Sequence, residues 1–150
     1  KQIADEHDVP VIVNDRLDVM LATNTAGIHL GKNDMSIPDA RKICGKEPII
    51  GATANTQEEI NSAIEAGADY IGVGAMFASI TKPNANVIGT ELLKSVKNVN
   101  HLAIGGITPD NVQKLYEFGC KGIAVNYAIA QSTTPGKIVH ELLQPEAQLI

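Results

Sequence analysis

Two stretches decide the fold of this chain, Val11-Ile12-Val13-Asn14-Asp15-Arg16 and Ile28-His29-Leu30-Gly31-Lys32-Asn33-Asp34. Each begins as a short apolar, β-branched run and ends near an aspartate, a pattern typical of parallel strands that are buried on both faces. Because parallel strands end at the same edge of a sheet, we expect Asp15 and Asp34 to lie at one rim. Two carboxylates at one rim suit Mg²⁺, because phosphates and waters can supply the remaining ligands of its octahedral coordination.

Six strand–helix units follow one another along the chain. The predicted strands are Val9–Asn14, Gly27–Gly31, Pro48–Ala52, Asp69–Gly74, His101–Gly105 and Gly122–Asn126. Helix boundaries are signalled by a capping box that begins at Thr56 and by Gly67 as the residue that ends that helix. Thr108 and Pro109 are predicted as the N-cap and first residue of a later helix, which ends at Gly119.

Alternating strands and helices indicate an α/β protein with a parallel sheet, either a closed barrel or an open doubly wound sheet. The similar blocks Gly67–Gly74 and Gly119–Val125 favour the regular barrel. A TIM (β/α)8 barrel needs eight units. We therefore expect residues 1–150 to form a single partial barrel domain whose first two units, about 45–60 residues, are missing before Lys1.

Composition excludes several classes of protein. The 150 residues are 44% hydrophobic with a net charge of −5, which is enough apolar material for a core and gives no basic surface for nucleic acid. No apolar run is long enough to span a membrane. Cys44 and Cys120 lack metal or redox spacing, so we expect reduced thiols in a cytoplasmic protein.

Three further segments are candidates for phosphate binding. The glycine-rich strand end around Gly105 and Gly106 allows close backbone approach to a phosphate, although the glycines could also serve only a tight turn. The loop Ser79-Ile80-Thr81-Lys82 offers two hydroxyls and an ammonium, or is simply a solvated loop. Asn126-Tyr127 ends the last predicted strand at the same rim.

Single side chains at strand ends have structural as well as functional explanations. Asp15 could pair with Arg16 or cap the next helix, and Asp34 could cap the helix predicted over Ser36–Ile43. Thr53 is a candidate hydroxyl for the site. His29, in an apolar strand, is predicted to be a packed, hydrogen-bonded histidine rather than a catalytic base.

Five segments together resemble the thiamine-phosphate synthase family. They are V-N-D-R, G-I-H-L-G-K-N-D, I-I-G-A-T-A-N-T, A-D-Y-I-G-V-G-A-M-F-A-S-I-T-K-P and A-I-G-G-I-T-P-D-N, in the family's order over Val9–Ile129. The resemblance implies a Mg²⁺-dependent transferase of the TIM-barrel fold. Its substrates would be two phosphorylated small molecules, hydroxymethylpyrimidine diphosphate and a thiazole phosphate, which it joins to give thiamine phosphate and diphosphate.

The resemblance also implies residue roles. Asp15 and Asp34 match the Mg²⁺ ligands, Asn14 the asparagine that contacts the diphosphate, and Lys82 the lysine that neutralises it; Thr53 replaces a serine on the pyrimidine side. The thiazole phosphate would be bound by Ser79, Thr81, Gly106, Asn126 and Tyr127.

Some positions depart from the family's pattern. Lys32 stands where glutamine is usual, and Tyr127 where a serine is usual. Asn55 replaces a histidine that the related thiazole tautomerases use near this position, which disfavours that alternative. A non-catalytic phosphate-binding protein is a further alternative, because the family's N-terminal diphosphate-binding segment is not in this chain, and we expect the 150 residues alone to be inactive. The pattern leaves a homo-oligomer open.

Overall fold

The computed structural model describes residues 1–81, 83–96 and 98–143, and its six strands are hydrogen-bonded in chain order, β1-β2-β3-β4-β5-β6. The strands are β1 (Ile12–Asn14), β2 (Gly27–Leu30), β3 (Ile49–Thr53), β4 (Tyr70–Val73), β5 (His101–Ile104) and β6 (Ile123–Ala124). An open doubly wound sheet reverses its strand order at a switch point, whereas this order follows the chain. The incomplete barrel of six βα units is therefore confirmed.

Seven α-helices and one short 3₁₀ helix are found in the described residues. They are α1 (Gln2–Glu6), α2 (Leu17–Thr23), α3 (Ile37–Cys44), α4 (Gln57–Glu65), the 3₁₀ helix Glu91–Lys94, α5 (Val112–Glu117), α6 (Tyr127–Ala130) and α7 (Pro135–Leu143). None of these described helices is long and apolar enough to cross a membrane.

The chain divides into two compact units, residues 1–71 and residues 72–150. In the first unit β1 pairs with β2, and β2 with β3, all parallel, with Asn14 opposite His29 and His29 opposite Gly51. In the second unit β5 pairs in parallel with β6, with Ala103 opposite Ile123. The single domain expected for residues 1–150 stays a prediction.

The core of the first unit forms where α2 and α3 bury their apolar sides against the strands. Its buried members are Leu17, Met20, Ile28, Leu30, Ala40 and Ile50. In β2, Ile28 and Leu30 are buried and His29 between them is half-buried, so this strand has little solvent-facing surface. This is the burial pattern expected of a strand in a parallel sheet covered by helices.

The helix boundaries follow three of the four predicted caps, and Gly119 is one of them, because it comes directly after the C-cap Phe118 of α5 with a φ of 85°. Thr56 caps α4 by accepting a hydrogen bond from the Glu59 amide at 3.2 Å, and Gly67 follows the helix end with a φ of 95°. Thr108 and Pro109 were the wrong residues for the start of α5, which begins at Val112 after Asn111. The Asn111 side chain accepts from the Thr108 amide at 2.9 Å, so the intervening residues form a turn instead.

One arginine joins the connections that lead into β3 and β4. Arg41, on α3, donates to the carbonyls of Pro48 and Gly67 and to the carboxylate of Asp69. That carboxylate also accepts from the Ile50 amide at 2.7 Å. These contacts lie at the amino-terminal ends of the strands, at the opposite end of each strand from the predicted site.

Candidate functional site

Asp15 immediately follows β1 and is held in a strained turn. Its φ of 62° lies in the left-handed region, and its amide donates to the His29 carbonyl at 2.9 Å. The neighbouring Arg16 guanidinium pairs with Asp18 at 2.6 Å, which raises the pKa of Arg16 and lowers that of Asp18 to about 2. Arg16, and not Asp15, occupies the N-cap position of α2. A non-glycine residue in this conformation is uncommon and is compatible with a functional constraint.

Asp34 folds back onto the end of β2. Its carboxylate accepts a hydrogen bond from the Gly31 amide at 2.7 Å, whereas Ser36 caps α3 by accepting from the Asp39 amide. The structural alternative for Asp34, capping the helix, is therefore wrong, because Ser36 lies directly before the helix and takes that role. Asp34 is exposed and can still present carboxylate oxygen to a ligand.

A half-buried imidazole lies among the predicted site residues of the first unit. The ring nitrogens of His29 lie 3.0 Å from the Tyr70 hydroxyl and 3.0 Å from the Thr53 hydroxyl. Burial lowers the pKa of His29, while the charges of Asp15 and Asp34 act to raise it. The predicted packed, hydrogen-bonded histidine is thus confirmed. Both aspartates exert their field on one side chain, and Thr53 contacts it directly.

Asp15 and Asp34 fit a magnesium ion whose remaining ligands are substrate phosphates and waters. Among the described residues there is no group of three or more histidine, cysteine, aspartate or glutamate side chains arranged to hold a metal. Mg²⁺ does not require such a group, because it is commonly held by one or two carboxylates with phosphates and waters. The two exposed carboxylates, Asp15 and Asp34, supply that smaller set.

Lys32 is engaged by a carboxylate from the neighbouring helix. Its ammonium lies 2.6 Å from Glu59, and the other oxygen of Glu59 accepts from the Asn55 amide at 2.7 Å. The hydrogen bond from Lys32 is the main reason that the pKa of Glu59 is lowered. The lysine at this position therefore has a structural partner, and the departure from the family's glutamine adds a surface ion pair.

In the second unit, Gly105 and Gly106 lie against the chain that follows β4. A Cβ on Gly106 would lie 2.3 Å from the Ala78 carbonyl oxygen, and the φ angles of the two glycines are 99° and 65°. The Asn111 side chain also donates to the Gly106 carbonyl at 2.9 Å. Close backbone packing thus explains both glycines without a ligand. Sequence reasoning missed Asn111, although an asparagine shortly after a Gly-Gly pair is a turn signal.

The other predicted phosphate contacts of the second unit differ in how they are placed. Ser79 and Thr81 are brought together, with their hydroxyl oxygens 2.9 Å apart. Lys82 lies outside the described residues. Asn126 and Tyr127 do not end a strand as predicted, because β6 ends at Ala124 and Asn126 is the N-cap of the short helix α6.

Sequence reasoning also missed Tyr70. A signal was present in Gly51, since a glycine inside a strand often marks the close approach of another group. A Cβ on Gly51 would lie 2.1 Å from the Tyr70 ring. The absence of a side chain there lets the tyrosine ring cross β3 and reach His29.

Comparison with known proteins identifies the family of this chain. The model of the family "Thiamine monophosphate synthase" matches residues 1–129. The thiamine-phosphate synthase of Clostridium tetani is 43% identical over 145 residues, which cover 95% of this chain and 69% of that protein. That of Clostridium acetobutylicum is 41% identical over 128 residues, covering 83% of this chain and 61% of the relative, so the chain spans under two thirds of some relatives' length.

A solved structure gives the same result for the fold. The thiamine phosphate pyrophosphorylase of Pyrococcus furiosus superposes with a TM-score of 0.87 at 36% identity, covering 99% of this chain and 73% of that one. Sequence and structure therefore agree over nearly the whole chain. The chain belongs to the thiamine monophosphate synthase family.

Proposed function

We propose that the protein carrying this chain is a thiamine-phosphate synthase, a transferase that joins hydroxymethylpyrimidine diphosphate to a thiazole phosphate. The observation that carries the proposal is the grouping of Asp15, Asp34 and Thr53 around His29 at the ends of β1, β2 and β3. All three residues lie within residues 1–129, the part of the chain that the family model matches.

The reaction asks for charge neutralisation and alignment rather than a protein nucleophile. The bond between the pyrimidine methylene and the diphosphate oxygen breaks, and both electrons leave with the diphosphate. The thiazole nitrogen then forms the new bond to that carbon with its own lone pair. Positive charge on the methylene and negative charge on the departing oxygens develop together, so preorganised cations and donors at the diphosphate lower the barrier.

Each residue then has a role in this scheme. Asp15 and Asp34 would hold Mg²⁺, which when bound supplies positive charge to the diphosphate. Asn14 and Lys82 would bind the diphosphate, and Thr53 would contact the same substrate, the pyrimidine diphosphate. Ser79, Thr81, Gly106 and the backbone of Asn126 and Tyr127 would bind the thiazole phosphate.

The test is thiamine phosphate formation by the protein and by three matched carboxylate variants. Asp15→Asn and Asp34→Asn each remove one proposed metal ligand, and the asparagine at position 34 can still accept from the Gly31 amide. Asp18→Asn is the control, because Asp18 is also an exposed carboxylate of this region and its salt-bridge partner is Arg16. We expect kcat/KM to fall on the order of 10²-fold or more for the first two and to change less than about twofold for the control.

Two outcomes would contradict the proposal. Unchanged turnover of Asp15→Asn and Asp34→Asn at ordinary Mg²⁺ would remove the metal assignment. Binding of thiazole phosphate, measured by calorimetry, without any thiamine phosphate formed would instead identify a phosphate-binding protein of the same fold.

A further inference from the structure

Three side chains from three strands form one hydrogen-bonded line in the first unit. The Tyr70 hydroxyl lies 3.0 Å from Nδ1 of His29, and Nε2 of the same ring lies 3.0 Å from the Thr53 hydroxyl. The tyrosine and imidazole rings are 5.6 Å apart, centre to centre. Within the described residues, His29 is the hydrogen-bond partner of the Thr53 side chain.

A neutral imidazole gives this line a direction. One ring nitrogen carries the proton and donates, and the other accepts. The phenol is more acidic than an aliphatic hydroxyl and is the stronger donor of the two neighbours, which favours donation from Tyr70 to Nδ1. The proton of His29 then lies on Nε2 and is donated to the oxygen of Thr53. In that arrangement Thr53 keeps its own hydroxyl proton for another acceptor.

We propose that Tyr70 and His29 are positioning residues that hold the Thr53 hydroxyl as a hydrogen-bond donor toward an oxygen of the substrate's diphosphate. The inference rests on the proposed function. A donor aimed at the pyrimidine ring would oppose the positive charge that grows on its methylene, whereas a donor to the departing diphosphate stabilises the negative charge. The fields of Asp15 and Asp34 reach the same imidazole, which is consistent with diphosphate and Mg²⁺ gathering beside this line.

The direction of the line can be measured without any turnover. Nitrogen NMR of the ¹⁵N-labelled imidazoles at about pH 8, above the ordinary histidine pKa, reports which ring nitrogen carries the proton. The chain has four histidines, and the signal that shifts in Tyr70→Phe assigns His29. We expect the Nε2–H form in the wild-type protein and a loss of that preference in Tyr70→Phe. The Nδ1–H form in the wild-type protein would overturn the proposal.

The consequence for ligand binding is tested with inorganic diphosphate and Mg²⁺ in a double-mutant cycle. Thr53→Val removes the donor and keeps the shape, and we expect affinity for diphosphate to fall about tenfold or more. Tyr70→Phe should weaken it by about two- to tenfold. Adding Tyr70→Phe to Thr53→Val should cost less than about twofold more, because the tyrosine acts only through the hydroxyl. Thr53→Ser keeps the hydroxyl donor and should bind diphosphate about as tightly as the wild-type protein.

Tyr116→Phe is the matched control for the tyrosine. The Tyr116 hydroxyl donates to the Leu142 carbonyl in the second unit, so this variant loses one hydrogen bond of similar length, 3.1 Å, without touching His29. We expect diphosphate affinity within twofold of wild type for this control. If Tyr70→Phe weakened diphosphate affinity by the same factor with Thr53 and with Val at position 53, the role of Tyr70 would be merely structural. If the line behaves as proposed but no thiamine phosphate forms, the proposed function fails and the positioning role stands.

Discussion

Gly51→Ala tests whether the missing side chain in β3 is what lets Tyr70 reach His29. A Cβ at this position would lie 2.1 Å from Cζ of Tyr70 and 2.4 Å from both its hydroxyl oxygen and Cε1. Ordinary contacts between such atoms are about 3.5–4.0 Å. The tyrosine ring must therefore move by more than an ångström, which takes its hydroxyl out of hydrogen-bond range of His29.

The expected change in the free energy of unfolding combines two destabilising effects and one stabilising effect. Overpacking of a fitted site costs about 1–3 kcal/mol, and loss of the Tyr70–His29 hydrogen bond adds about 0.5–1.5 kcal/mol. Replacement of glycine by alanine in a strand stabilises the folded state by about 0.5–1 kcal/mol. We expect a net loss of about 2 kcal/mol in the free energy of unfolding, or about 4–8 °C in Tm for a chain of this size.

The assay is urea unfolding followed by circular dichroism, with Gly136→Ala as the control. A Cβ on Gly136 meets no atom within 4 Å, and the residue lies in α7, so alanine there should stabilise the protein slightly. In a Tyr70→Ala background the colliding ring is gone, and Gly51→Ala should cost little. A full loss of stability by Gly51→Ala in that background would refute the reasoning, because the collision would then lie elsewhere.

Three further variants test other contacts. Lys32→Gln removes the ion pair with Glu59 and should cost less than about 1 kcal/mol at pH 7. Because Lys32 lowers the pKa of Glu59, this contribution is present above the carboxyl's ordinary pKa and should vanish as the pH falls through its lowered value, as urea melts at several pH values would show. Thr56→Ala removes the cap of α4 and should cost about 1 kcal/mol in the same melts, whereas an unchanged midpoint would mean that the cap contributes nothing. Gly106→Ala collides with the Ala78 carbonyl and should lower Tm and abolish thiazole phosphate binding in calorimetry; a folded variant with wild-type affinity would exclude Gly106 from the site.

The order of the elements was predictable because the hydrophobic pattern repeats in every strand–helix pair. All six predicted strands exist and pair in chain order. Their ends were less predictable. β1 starts at Ile12 instead of Val9, in keeping with the missing amide hydrogen of Pro10, and β6 ends before Asn126 because that residue starts a helix.

The candidate site divides in the same way. Asp15, Asp34 and Thr53 were proposed because they lie at or just after strand ends, which a parallel sheet places at one edge, and their roles stay predictions. Tyr70 and Asn111 were not identified, because their roles depend on contacts between residues distant in sequence: Tyr70 lies 41 positions from His29. Patterning reports which face a residue occupies, whereas the partner of a polar group depends on side-chain packing.

The contacts of Arg41 have a bearing on how such a protein can change. One side chain holds the connections that enter β3 and β4, with Asp69 as the shared acceptor, and none of these atoms belongs to the proposed site. The contacts of Arg41 and the proposed site therefore lie at opposite ends of β3. If the proposed site is right, substitutions around Thr53 leave the contacts of Arg41 in place, which makes the carboxyl-terminal rim the place to engineer altered substrate preference and Arg41 a residue to leave untouched.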